Sequence, residues 1–480
     1  MPLLTVANHE MLRSKQPTSD LPLTFRNAIQ LAGRLNLKYI WIDCLCIIQD
    51  SEGGVDWMRE SRTMQYVYAN AGCNFVAGDC GDMDQRQGIF RERQPASVGC
   101  YVVKCKWWSE PRTARVFLIT TVKDDIDKSP IYERGWVLQE RLLASRILHF
   151  AKHQVYWSCT RLSASESMPG GYSEDISRGL SLQLMRKYAR DVSSWRNLER
   201  PTNNMPSELL RLWMDIVEVY SNCKFTFNDD RLVALGGIIQ MFETLHSDRY
   251  FAGNWRPSIL QCLCWHVDRF KMADSIRIPD LPSWSWTSVL SVVEYTWLSR
   301  GDEDWSNAVE LATIQVLERP DSQSVEDAAS VLSIEACPIS AQCRPGPVQA
   351  DGYEVMLVVS PIEHQSWLPT DTGTIQCMFD VDPRATEVFD VVLVPLTAHC
   401  IGPSRYAFLT AEGLILQRAG SDSDLFNRIG YFEHTTSPEF GDEYAAFLHM
   451  ICDEQGNLRF NSSGHLMVAD DRPLQTIGVV

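Results

Sequence analysis

The alternation of apolar and polar positions along the chain predicts helices and strands in turn. Thr24 to Leu35 places Phe25, Ile29, Ala32 and Leu35 at helical spacing, with Thr24 as the expected N-cap and Asn36 as the stop. Tyr39 to Ile48 follows as a nearly unbroken apolar run that holds one acid, Asp43. Such a run predicts a strand buried on both faces, as in a parallel sheet. A second helix is expected over Val55–Asn70, with Trp57, Met64 and Tyr68 on one side and Glu60 and Arg62 facing water. Ala71–Ala77 reads as a short strand, the Gly- and Asp-rich stretch Gly78–Gln94 as a loop, and Arg115–Thr121 as a strand. A helix is expected around Val137–Leu143, then strands over Arg146–Phe150 and Gln154–Cys159.

From Glu174 to Thr244 the pattern becomes mainly helical, with Trp213, Ile216, Val217 and Tyr220 among its apolar positions. Asp280–Ser288 breaks it. Beyond residue 290, short alternating segments such as Tyr353–Val359 and Val388–Leu396 predict strands and turns. The expected organisation is an α/β domain over residues 1–165, a mainly helical segment over 166–290 and a β-rich region over 291–480, α+β overall. A chain of 480 residues is too long for one compact core.

Composition narrows the classes. The apolar share of 45% and charged share of 22% are those of a globular protein. A formal net charge of -17, with no basic run to offset it, argues against nucleic acid and anionic membrane as partners. No apolar stretch reaches the roughly 18 residues that would span a bilayer, so no membrane insertion is expected. Met1–Thr5 lacks the basic and apolar pattern of a secretory signal, so a cytoplasmic location is expected. The 15 cysteines then read as reduced thiols. Cys44 with Cys46, and Cys262 with Cys264 ahead of His266, raise a metal question. A spacing of one residue is wrong for a tetrahedral zinc pair, and alternate residues of a strand share one face, so core packing is the expected role of both pairs.

Two strings carry a family resemblance: Tyr39-Ile40-Trp41-Ile42-Asp43-Cys44-Leu45-Cys46-Ile47-Ile48-Gln49-Asp50 and Glu133-Arg134-Gly135-Trp136-Val137-Leu138-Gln139-Glu140-Arg141. Both resemble motifs of the fungal heterokaryon-incompatibility (HET) family. Leu21–Ile29, Asp56–Ser61, Met64–Ala71 and Arg146–Phe150 resemble further family positions in the same order. So do Asp229–Leu232 and Pro282–Trp286. The family's usual opening strand, Leu-Ser-Tyr-x-Trp-Gly, has no counterpart ahead of the first helix. The resemblance implies an α/β domain distantly similar to TIR domains. It also implies a role in nonself recognition and the cell-death reaction that follows fusion of incompatible cells, with a protein partner. Members of this kind also occur beside biosynthetic genes, which implies an alternative: a cofactor-free cyclase or related enzyme of secondary metabolism acting on a small-molecule metabolite. A second alternative is a TIR-type enzyme that cleaves NAD.

The candidate catalytic residues are Asp43 and Glu140, and the candidate binding residues are Trp41, Gln49, Arg134, Trp136, Gln139 and Arg141. An acid in a buried strand needs a cation, so Asp43 is expected to pair with Arg134 or Arg141; the other reading of Asp43 is a pocket acid at the carboxyl edge of a sheet. Glu140 reads either as a helix-surface partner of arginine or as a desolvated general acid or base. Trp136, Trp284 and Trp286 read as core residues or as a stacking wall for a flat ligand. Cys44 with His149 or His153 is a conceivable nucleophile and base. No Gly-rich phosphate loop or zinc-protease helix is present, and no cofactor or metal is expected.

Two outcomes follow. Elemental analysis of the purified protein is expected to find no stoichiometric zinc; one metal ion per chain contradicts it. A nucleotide site in an open α/β sheet is built from strand ends and their loops, and the Trp41–Gln49 stretch supplies only one such edge. The chain as given is therefore expected not to release nicotinamide from NAD, and turnover lost in Glu140→Ala contradicts that.

Overall fold

The computed structural model describes residues 2–14, 17–78, 88–92, 101–107, 110–116, 125–126, 128–159, 161–171, 207–228, 230–246, 250–268, 270–296, 309–317, 331–344, 358–361, 376–381, 389–401, 408–420, 423–436, 467–468 and 474–480. The chain divides into two compact units: Met1–Glu199 with Cys223–Leu245, and Arg200–Asn222 with His246–Val480. The stretch 166–290 is thus shared between them.

The first unit mixes helices and strands. Its N-terminal helices are α1 (His9–Arg13), α2 (Leu23–Arg34), α3 (Asp43–Cys46) and α4 (Val55–Asn70). The helix expected over 24–35 is present, but it begins from Pro22 with no side-chain cap from Thr24. Asn36 stops it in a left-handed conformation, φ 55°. Leu37 N then donates to Ala32 O at 2.8 Å and Asn36 N to Gly33 O at 3.1 Å, the pairing that satisfies the last carbonyls of a helix. Helix α4 matches its predicted span, and Gly54 caps it at φ 67°, a backbone conformation that favours glycine. Ser51 Oγ accepts from Asp56 N at 3.1 Å, and Asp56 Oδ2 accepts from Ile48 N at 2.8 Å, fixing the angle at which the chain enters this helix.

A four-stranded sheet follows, in the order β1 (Asn74–Ala77), β4 (Arg146–Phe150), β5 (Val155–Cys159), β6 (Ser163–Ser165). Strands β1 and β4 pair in parallel, Phe75 opposite Leu148, and the other two pairings are antiparallel. Strands β2 (Tyr101–Trp107) and β3 (Glu110–Val116) form a separate antiparallel pair. Of the strand expected over Arg115–Thr121, Arg115 and Val116 lie in β3 and the rest falls outside the described residues. Helix α5 (Gly135–Leu143) leads into β4 and packs against α4. Residues 223–245 complete the unit with two helices, Asp230–Val233 and one that starts at Gly236.

One expectation fails here. Tyr39–Ile48 is not a buried strand: residues 37–42 belong to no sheet, Tyr39 is 91% exposed, and Asp43 opens α3. A continuous apolar run suits a strand covered on both faces, but it also suits a segment that buries only some of its side chains. Here Cys44 and Ile47 face the core while Tyr39 and Ile40 face solvent.

The second unit is β-rich, as expected beyond residue 290. Ten strands form one sheet, whose main path runs Thr313–Leu317, Val331–Ala336, Gln475–Val479, Leu425–Thr436, Phe408–Arg418, Phe389–Ile401, Ile339–Arg344 and Val358–Pro361. Val309–Glu310 and Gln376–Phe379 join at the sides, against Phe389–Ile401 and Leu425–Thr436. Most of the strand expected over Tyr353–Val359 lies outside the described residues. The unit also holds the helix Ser207–Ser221. Its core contains five fully buried tryptophans, Trp213, Trp255, Trp265, Trp284 and Trp286. Two of these indole N–H groups have main-chain partners: Trp286 Nε1 donates to Gly253 O at 2.7 Å and Trp265 Nε1 to Trp284 O at 3.1 Å. Trp284 and Trp286 are therefore core residues and not a ligand wall.

A charged knot lies inside this unit. Arg428 is fully buried, with its guanidinium 3.5 Å over the Trp265 ring. It donates to Asp380 Oδ2 at 3.2 Å and to Leu263 O at 2.7 Å, and Arg277 donates to the same Asp380 oxygen at 2.9 Å. Breaking a buried ion pair strands a charge in a low-dielectric interior. Asp380→Ala is expected to cost about 3–5 kcal/mol in urea unfolding; a loss below about 1 kcal/mol, the value of an exposed pair, contradicts this reading.

Candidate functional site

The two sequence motifs meet in the first unit. On α5, Trp136 and Glu140 are four residues apart and so share one face of the helix. That face meets α4, where the Trp57 ring packs edge-on against Trp136 at 5.9 Å between centroids. Further along α4, Tyr68 hydrogen-bonds Glu140. The ring of Trp41, in the extended stretch before α3, packs edge-on against Tyr68 at 5.7 Å. Asp43 and Arg134 lie close enough to act electrostatically on both Glu140 and Tyr68. The centre is thus Trp41, Asp43, Tyr68, Arg134, Trp136 and Glu140, drawn from α4, α5, the start of α3 and the segments leading into α3 and α5.

Its electrostatics follow from placement. Burial pushes the Glu140 carboxyl up from the usual carboxylate range to about 7; the Tyr68 hydroxyl and the Arg134 charge lower it, and Asp43 raises it. Burial, then the Glu140 charge, pushes the Tyr68 hydroxyl well above its ordinary value. The Glu140 carboxyl takes up and releases its proton near neutrality while Tyr68 keeps its own, the condition for general acid–base work.

Asp43 departs from expectation. It is exposed, its Oδ1 accepts from the Cys44 amide at 2.7 Å, and among the described residues it forms no ion pair with Arg134 or Arg141. An acid at the first position of a helix, in water, needs no cation, and the premise of a buried strand was what demanded one. Arg134 is likewise exposed.

Three of the candidate binding residues serve the fold. Gln139 is buried, and its Oε1 accepts from Gly237 N at 3.0 Å. Arg141 is buried with its guanidinium 3.5 Å over the Tyr132 ring, and Tyr132 Oη in turn bonds His149 Nδ1. Gln49 is exposed and donates to its neighbour Ile47 O at 2.9 Å. Gly135, within the second motif, has a packing reason of its own: an added Cβ would lie 1.9 Å from the Phe225 ring.

The thiols are structural as well. Cys44 is buried and its thiol is pushed up to about 11 by burial, then by Asp43, so it stays protonated at neutral pH and is no nucleophile. His153 bonds Asp125 Oδ1 at 2.5 Å, and Tyr156 donates to Asp125 Oδ2 at 2.9 Å. Cys262 and Cys264 are fully buried, on a short helix and the turn after it, where strand-like alternation had been expected; Cys46 is exposed. Among the described residues no group of three or more His, Cys, Asp or Glu side chains is placed to hold a metal ion. Among them, too, no helix is long and apolar enough to cross a membrane.

Tyr68 is the site residue that sequence reasoning missed as chemistry. It was placed on the apolar side of α4, and the signal that could have found it is its spacing: eleven residues after Trp57, three helical turns on, it shares the face that meets α5.

These features define an α+β domain with one titratable acid set into a helix–helix contact. Residues 4–140 match the family model described as heterokaryon incompatibility protein (HET). The stretch includes every residue of the centre, and the resemblance carried by its two motifs is borne out at family level. No curated protein and no solved structure matches the chain.

The raised acid has a consequence for stability. Glu140 binds its proton more tightly folded than unfolded, so its contribution is complete below pH 4.5 and is lost as pH rises through about 7. Unfolding measured from pH 4.5 to 8 should show a component of up to about 3 kcal/mol that declines with pH. Glu140→Gln should remove that decline; an unchanged pH profile in the variant contradicts the assignment.

Proposed function

We propose that this chain acts as a HET-type protein of fungal nonself recognition and cell-death signalling, with the Glu140 centre as its effector site. The observation that carries this reading is the coincidence of the two: the stretch matched by the family model contains an acid held near neutrality between Tyr68, Asp43 and Arg134. Glu140 is the proton donor or acceptor, Tyr68 holds it in place, and Arg134 and Asp43 set the local field. Trp41 and Trp136 supply the apolar flanks. A protein partner triggers or restrains the site, and no cofactor is required for a proton transfer of this kind.

A second reading is favoured by the same acid and its aromatic flanks. A ring-flanked acid poised near neutrality suits a cofactor-free cyclisation or related step on a small secondary metabolite. In that reading Glu140 protonates or deprotonates the metabolite and the rings of Trp41, Tyr68 and Trp136 shape it.

The two readings separate by experiment. The wild-type chain and Glu140→Gln are expressed in a fungal host and viability is followed. Growth arrest by the wild type, reduced at least tenfold in the variant, as loss of general acid–base catalysis demands, is the expected result. Equal toxicity of both overturns the acid–base role of Glu140. Absence of toxicity from either, with a changed metabolite profile that depends on Glu140, moves the conclusion to the second reading.

A further inference from the structure

Residues Tyr39–Ile42 form a main-chain edge that the chain leaves open. The last helical-type bond before them is Leu37 N to Ala32 O, and the next beyond them are Leu45 N and Cys46 N to Ile42 O. Among the described residues, the amides of Tyr39, Ile40, Trp41 and Ile42 donate to nothing in the chain, and the carbonyls of Tyr39, Ile40 and Trp41 accept from nothing. Ile42 is extended, φ -133° and ψ 119°. Tyr-Ile-Trp-Ile is also a sequence of strong strand formers, β-branched and aromatic throughout. Such residues belong in a sheet, yet Tyr39 is 91% and Ile40 36% exposed. An open row of donors and acceptors flanked by apolar side chains is a template for another extended chain.

Charge indicates which chain. Asp43, at one end of the edge, is an exposed acid, Glu140 lies within its field, and the exposed Lys38 stands at the other end. The whole protein carries a formal charge of -17. A second copy would bring the same net charge of -17 and be repelled as a whole, whereas a basic segment would be drawn in.

We propose that Tyr39–Ile42 is a docking edge for an extended, basic segment of a partner protein, which adds to it as a β-strand and sets a cation against Asp43. The proposal rests on the signalling reading and gives its partner a chemistry. It also ties recognition to the effector site. Trp41 packs on Tyr68, which bonds Glu140, so a strand laid over Trp41 and Asp43 excludes water from the acid and neutralises the charge beside it.

The test uses the full chain and a synthetic probe, acetyl-Lys-Val-Thr-Val-Thr-Val-Lys-amide. Three comparators are used: the same peptide N-methylated at alternate amides, the same peptide with Glu at both ends, and the Asp43→Asn variant of the protein. Hydrogen exchange reads the amides of Tyr39–Ile42, and Trp fluorescence reads binding. The amides should exchange freely in the protein alone and be protected by the Lys peptide. Binding should weaken at least tenfold for the Glu-ended and N-methylated peptides, and severalfold for the Lys peptide in Asp43→Asn. Three results overturn the proposal. One is full protection of these amides in the peptide-free protein, where sedimentation tells self-pairing of two copies from pairing within one. Another is protection by the N-methylated peptide equal to that by its parent, and the last is no protection at millimolar Lys peptide. Protection of the Tyr39–Ile42 amides is read in the wild-type protein and viability in Glu140→Gln, so a failed edge and a failed effector acid give different results.

Discussion

The first unit is organised around a carboxylic acid that must lie in the contact between two helices. Helix α5 cannot pack its Trp136 face onto α4 without bringing Glu140 in with it, because the two side chains are one helical turn apart. An ionised carboxylate in such a contact is penalised unless donors meet it. Tyr68 is the donor, Arg134 supplies a distant positive field, and the remaining penalty appears as a raised affinity for a proton. Packing and chemistry thus have one cause. The acid is poised near neutrality because it sits where the helices need to touch.

Other polar residues of the second motif show how burial was made tolerable. Gln139, one position before Glu140, is turned away from it, and its carbonyl oxygen accepts from the Gly237 amide. Arg141, one position after, lies flat on the Tyr132 ring. Three consecutive polar residues, Gln139, Glu140 and Arg141, therefore point into three environments, as a 100° step per residue requires. Of the three, Glu140 is the one poised to titrate near neutral pH.

Much of this architecture was legible in the sequence. Helices α2, α4 and α5 and strand β4 follow from regular apolar spacing and sit where periodicity puts them, and the β-rich character beyond residue 290 follows from short alternating runs. What was not legible depends on distance in three dimensions. The Tyr39–Ile48 run has the composition of a buried strand, and nothing local tells it to leave Tyr39 and Ile40 in solvent and turn into helix at Asp43. The pairing of Asp43 with arginine failed with that premise. Tyr68 was seen only as an apolar position, since its hydroxyl acquires meaning when Glu140, seventy-two residues later, is brought against it. The buried Asp380–Arg428 pair spans 48 residues and two strands, and no spacing rule connects them.

The ring of Phe225 on Gly135 has a consequence for how this protein is made. The domain matched by the family model ends at residue 140, yet the surface of α5 is closed by Phe225 and Gly237, residues of a stretch that the chain reaches only after a strand-rich hairpin and the helix Ser207–Ser221. Synthesis runs from the N-terminus, so Gly135 and Gln139 emerge before the Phe225 ring and the Gly237 amide that meet them. A chain cut before Phe225 would therefore lack both the ring that covers Gly135 and the amide that meets Gln139, and the surface of α5 would stay open.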